Sequence, residues 1–158
     1  MELIKDNKLK NRRVYKLHDR YRKEWTVVNF ELLEKHVGIM NKLHPGYILN
    51  YGKTKDIMWL EVAAIDGVLA STIPHTDEFV DQIVKFCLDN IRQTYPYAHG
   101  DWVLSNIIKD NSGLFHLIDW DNVDIYPIDI ILQKLTQDLT SAFGDKFTGL
   151  KKYDTSSF

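Results

Sequence analysis

The stretch "HGDWVLSN", His99–Asn106, decides how the whole chain is read. It sets a histidine, a carboxylate and an amide around a short apolar run. A second polar cluster, "IDWD" at Ile118–Asp121, closes the next apolar run. Between the two the chain reads "LSNIIK", then the turn-forming "DNSG", then "LFHLIDWD", which is the pattern of a β-hairpin. A turn centred on Asn111 and Ser112 places Asn106 opposite Leu117, with Asp119 two positions further along, roughly 7 Å of strand. The hairpin is therefore expected to bring both clusters to one end. Asp101, Asn106 and Asp119 together make a hard, oxygen-rich set, which suits Mg²⁺ because that ion takes few protein ligands and keeps places for water and phosphate. Asp121 shares a face with Asp119 in a strict strand. Carboxylates this close repel one another, and a cation relieves the cost.

Outward from this centre the elements alternate. Before it, Asp77–Thr94 reads as a helix whose apolar face runs Phe79, Val80, Ile83, Val84, Cys87, Leu88, Ile91, with acids in its first turn and Pro96 beyond its end. After it, Pro127 opens a helix through Ile128, Ile131, Leu132, Leu135, Leu139 and Ala142 to Gly144, and the tail "KKYDTSSF" reads as a frayed end. Toward the N-terminus, "YILNYG" and "DIMWLEVAA" flank "KTKD" as a hairpin. Arg22–Leu43 reads as helical, with Phe30, Leu33, Val37 and Met40 at helical spacing and "HPG" as its stop. Glu34 borders that stripe and Glu31 lies further round. "RRVYKL" reads as a short strand with Val14 and Lys16 on one face. This order is an α+β fold, and 158 residues suit a single domain.

Composition narrows the function. The chain is 44% apolar and 27% charged with many aromatics, so it folds. A net charge of −2 gives no global attraction to nucleic acid or an anionic membrane, and the basic N-terminal stretch "KDNKLKNRR" reads as a solvated face. No nucleic acid partner is expected. A lone Cys87 excludes an internal disulfide and reads as a buried thiol of a reducing compartment. No run approaches the length of a membrane span, and "MELIKDNKLK" lacks the apolar core of a signal peptide, so a cytoplasmic protein is expected.

These motifs resemble the catalytic core of the protein-kinase-like superfamily, especially its aminoglycoside phosphotransferase and choline kinase branch. "HGDWVLSN" is similar to that branch's catalytic loop, and "LIDWD" to the metal-binding segment that stands in place of the kinase DFG triplet. "VYKL" resembles the strand carrying the phosphate-binding lysine, the helix through Glu34 the helix carrying its ion-pair partner, "IMWLEVAAIDG" the strand running into the hinge, and "YPIDII" the segment in which Asp129 opens a core helix. The resemblance covers roughly residues 12–143, with a reduced N-lobe over about 1–66 and a reduced C-lobe over about 67–158.

The resemblance implies roles. Asp101 is the expected catalytic aspartate, His99 the residue bracing its loop, and Asn106 and Asp119, with Asp121, the expected Mg²⁺ ligands. Lys16 is expected on the phosphates of ATP, paired with Glu34 or alternatively Glu31. The backbones of Glu61, Val62 and Ala63 are expected on adenine. The implied reaction moves the γ-phosphoryl group of ATP to a hydroxyl of a small-molecule, sugar or lipid-linked acceptor. No glycine precedes "VYKL", so the glycine-rich loop is absent, its strand pair is expected to be missing or much reduced, and Arg12 and Arg13 are the expected substitute phosphate contacts. A homodimer or protein partner would complete an acceptor face left open. The competing readings are a pseudokinase that binds nucleotide or acts as a scaffold, a protein kinase, and a glycosyltransferase using "DWD".

Overall fold

The computed structural model describes all residues, 1–158, and divides them into two compact units, Met1–Ala64 and Ile65–Phe158. The first unit is an antiparallel sheet with one helix. Its strands are β1 (Glu2–Asn7), β2 (Arg12–Lys16) and β3 (Arg20–Trp25), followed by α1 (Phe30–Leu43), β4 (Ile48–Lys53) and β5 (Met58–Ala63), in the spatial order β1-β2-β3-β5-β4.

Two expectations change here. The stretch from Arg22 does not begin a helix: Tyr21, Lys23 and Trp25 alternate along β3, and the helix starts only at Phe30, where the Asn29 side chain accepts the Leu32 N–H at 3.3 Å. The strand pair ahead of α1 is also present. β1 and β2 pair antiparallel through a short 3-10 turn, and Asn11 takes the left-handed conformation (φ 50°) that glycine usually fills.

Register places Lys23 between Val14 of β2 and Leu60 of β5, on the sheet face that also carries Arg12, Tyr21, Trp25, Met58 and Val62. α1 lays Leu33 and Val37 on Met58, Leu60 and Val62, with Tyr21, Trp25, Phe30, Tyr47 and Ile48 packed around them. Each aliphatic side chain buried this way contributes about 1.5–3 kcal/mol. On the opposite face Glu61 is clamped by Arg20 and Arg22 (3.3 Å each), and Arg22 stacks over Trp59.

The second unit holds β6 (Gly67–Leu69), α2 (Asp77–Thr94), β7 (Tyr97–Ala98), β8 (Ile107–Asp110), β9 (Phe115–Leu117), β10 (Asp124–Ile125) and α3 (Ile128–Phe143). One small sheet runs β6-β8-β9, and β7 pairs with β10. Gly67 permits the first sheet, because a Cβ there would lie 2.2 Å from the Lys109 carbonyl. α2 begins at Thr76, whose hydroxyl accepts the Phe79 N–H, and buries the apolar face expected of it, while α3 buries Ile131, Leu135, Leu139 and Phe143. The tail is not frayed. Tyr153 donates to Asp81, and Arg92 bonds Ser157 and the Asp154 carbonyl and lies over Phe158, so α2 holds the tail through its polar side.

Candidate functional site

Asp101 is positioned by what surrounds it in the chain. β7 delivers His99 into the core, where its side chain is fully buried. Nδ1 of the ring accepts the Asp101 N–H at 3.1 Å, so the proton sits on Nε2, which donates to the Ile118 carbonyl at 2.8 Å. One neutral tautomer thereby ties the loop to the residue just before Asp119. Burial lowers the His99 pKa, while the Ile118 carbonyl and the carboxylates of Asp101, Asp119 and Asp121 push it the other way. His99 is a brace with both nitrogens engaged, not a group that reaches a substrate. The Trp120 ring packs edge-on against it at 4.7 Å.

Gly100 takes φ +83°, and a Cβ there would approach the Asn122 carbonyl to 3.2 Å, so the turn into Asp101 requires glycine. Beyond Asp101, the Trp102 N–H donates to the Asp138 carboxylate at 3.0 Å, from a buried position on α3. The acid that anchors the loop is therefore Asp138, and Asp129 stands exposed in the first turn of α3. The sequence carried a signal for it: Asp138 falls in register with the buried Ile131 and Leu135, a place where an unpartnered acid is costly.

Asn106, buried at the end of a 3-10 turn, donates from Nδ2 to both the Asp101 carbonyl (3.2 Å) and its Oδ2 (3.1 Å). Its carbonyl accepts the Ile118 N–H at 2.8 Å, and Ile107 pairs with Leu117. The hairpin is therefore one residue out of the expected register, which sets Asp119 one position, not two, beyond the residue opposite Asn106. Asp119 then turns out of strand geometry at φ 58°, a conformation aspartate tolerates better than most residues. Trp120 fixes this bend by burying its ring and donating Nε1–H to the Leu117 carbonyl at 3.1 Å.

The donor set fits a hard cation. With both Asn106 Nδ2 bonds spent on Asp101, Oδ1 is the atom left to ligate, and Asp119 supplies a carboxylate on the adjoining segment. No group of three or more His, Cys, Asp or Glu side chains assembles a metal cage. An amide and one or two carboxylates match an ion that keeps most of its water, as Mg²⁺ does.

The remaining expected residues lie in the first unit. Lys16 ends β2, half-buried over the Tyr21 ring at 4.3 Å. The strand that leads into α1 is β3, so the buried lysine of that strand is Lys23, which lies in the stretch expected to be helical. Glu31 and Glu34 are both exposed on α1. Arg12 is buried, whereas Arg13 is exposed beside Asp6 at 3.6 Å. Glu61 and Val62 sit inside β5 with strands on both sides, so their backbone groups serve the ladder rather than lying open to a base.

No protein-family profile and no curated protein sequence matches this chain. Among solved structures it is similar to the bifunctional kinase-methyltransferase WbdD, with a TM-score of 0.61 and 16% identity over 83% of this chain and 34% of WbdD. A structure of monomeric WbdD gives 0.63 and 16% over 85% of this chain and 37% of WbdD. The chain spans only about a third of the length of that protein, and the likeness is one of fold.

Proposed function

We propose that the chain is an ATP- and Mg²⁺-dependent phosphotransferase acting on a hydroxyl of a small-molecule, sugar or lipid-linked acceptor. One observation carries this reading: Asn106 is bonded to Asp101 through its side chain and to the residue before Asp119 through its backbone. These bonds support a reading in which an acceptor-orienting acid and two oxygen ligands act as one group. Bound Mg²⁺ would neutralise charge on the phosphates. Asn106 and Asp119 would hold it, with Asp121 as a further oxygen donor. Asp101 orients the acceptor hydroxyl and takes its proton as the oxygen bonds the γ-phosphorus and the bond to the ADP oxygen breaks.

On the strand order, Lys23 replaces Lys16 as the phosphate cation, because a lysine on the strand feeding the helix is the one the kinase-like resemblance assigns. The kinase in the name of WbdD supports the reading at the level of fold. A nucleotide-binding or scaffolding protein without turnover is the second reading, favoured by the β1–β2 connection, which contains no glycine to approach phosphate closely.

Nucleotide binding and slow ATP hydrolysis with and without Mg²⁺ test both. Asp119→Asn is expected to lose the Mg²⁺-dependent part of binding, and Asp101→Asn to bind nucleotide but turn over about 100-fold more slowly. Lys23→Met should weaken binding more than Lys16→Met. Absence of Mg²⁺-dependent binding in the unmodified protein overturns the proposal, and binding without turnover in any acceptor screen selects the second reading.

A further inference from the structure

Three loops of the first unit meet at one end of its sheet, and none of the chemistry above uses them. The β1–β2 turn is Lys8–Lys10, and register sets Asn7 against Arg12, Arg12 against Trp25 and Trp25 against Met58. The exit of β3 and the β4–β5 turn therefore stand at the same end as that turn. The Thr26 N–H donates to the Asn11 carbonyl at 3.1 Å, which ties the β3 exit to the first turn. We propose that this end docks on an anionic lipid bilayer, with Leu9 and Val27 entering the interface and Lys8, Lys10, Lys53 and Lys55 meeting the lipid phosphates. The proposal stands independently of the phosphotransfer reading.

Leu9 is 98% exposed at the tip of the turn, with a lysine on each side of it. Val27, 60% exposed, and Val28 follow β3, and Leu32 is exposed in the first turn of α1. That turn belongs to the same end, because Phe30 stacks on Tyr51 of β4 at 6.1 Å and lies under the Lys53 ammonium at 4.9 Å. Aliphatic side chains this open to water forgo the burial that the rest of the unit gains. The charge beside them fits a lipid surface. Lys8, Lys10, Lys53 and Lys55 are all exposed, against the acids Glu31 and Asp56 at this end. Each lysine adds attraction to an anionic leaflet, and the aliphatic groups between them supply the insertion that phosphate contacts alone do not. A nucleic acid offers phosphate but no apolar phase to receive Leu9. The stretch "KDNKLKNRR" is thus divided in role: Arg12 is buried in the sheet, Arg13 meets Asp6, and Lys8–Lys10 form the tip.

Cosedimentation of the full chain with vesicles of phosphatidylcholine, with and without phosphatidylserine, tests this directly. Binding is expected to the anionic vesicles alone and should fall as salt rises. Changing Lys8→Gln and Lys10→Gln together should weaken it about 30-fold, and Leu9→Ser about ten-fold. Leu114→Ser, at an exposed position in the β8–β9 turn of the other unit, should leave it unchanged. All four positions are exposed, so folding is not at stake, and far-UV circular dichroism verifies it. A polarity-sensitive thiol dye on Leu9→Cys reports insertion, because Cys87 is fully buried and does not compete for the label. Its emission should shift to the blue on anionic vesicles only. Failure of the unmodified chain to bind anionic vesicles overturns the proposal, as does equal binding to phosphatidylcholine alone or an equal loss in Leu114→Ser. Binding weakened by the lysine changes but untouched by Leu9→Ser, with no shift of the dye, assigns this end to a polyanion such as nucleic acid and also overturns it.

Discussion

Two side chains with no expected role in the chemistry hold Asp101 in place. Asp138 satisfies the Trp102 N–H from α3, and His99 satisfies the Asp101 N–H from below. Removing either leaves a buried amide donor without its partner, and such a loss costs about 1–3 kcal/mol. Asp138→Ala should lower stability by that amount in urea denaturation. It should also lower turnover more than it weakens nucleotide binding, because it frees the loop and leaves Asn106 and Asp119 in place. Asp129→Ala, at the exposed position, should do neither. At Gly100 the left-handed backbone and the nearby Asn122 carbonyl act together, so Gly100→Ala should destabilise by about 1 kcal/mol or more, read in the same denaturation assay.

The β8–β9 hairpin is the element on which the site depends, and its turn is held by one acid. Asp110 accepts from the Ser112 hydroxyl (2.6 Å), His116 Nε2 (2.7 Å) and the backbone N–H groups of Ser112 and Leu114, at 2.9 and 3.0 Å. These bonds, the Ser112 hydroxyl first and His116 next, hold its pKa well below the ordinary 3.8. A group whose folded pKa is depressed contributes stability above its unfolded value, and that stability is lost as pH falls through and below it. Acid titration should therefore loosen this hairpin below about pH 4, visible as a loss of hydrogen-exchange protection, relative to the intrinsic rate at each pH, at the Asp110 and Ile118 amides that bond across it. Asp110→Asn should show loosened exchange already at neutral pH and little further change on acidification. Along α2 the tail contacts make a separate prediction. Arg92→Ala removes the partner of Ser157, Asp154 and Phe158, and limited proteolysis should then cut the last few residues sooner with no loss at the Asp101 loop.

For the whole molecule, ligand linkage is the readout. A ligand that binds only the folded state at about 100 times its Kd adds about 2.7 kcal/mol. Mg²⁺ with ATP should therefore raise the melting temperature by several degrees, and Asp119→Asn should abolish the rise. No helix is long and apolar enough to cross a membrane. Much of this protein was legible one residue at a time. The α2 and α3 boundaries, the two hairpins and the pairing of the Asn106 segment with the one leading to Asp119 follow from helical spacing, turn residues and the alternation of strands, which are local properties of the chain. The sequence could not set the hairpin register to the residue, because a wider turn about Asp110 is decided by what Asp110 bonds. Nor could it separate β3 from α1, since "YRKEW" takes strand geometry only when Val14 and Leu60 flank Lys23. Lys23 and Asp138 were hidden for the same reason. A charged residue in a buried row looks like an exception along the chain, and only packing shows which strand or helix has placed it there.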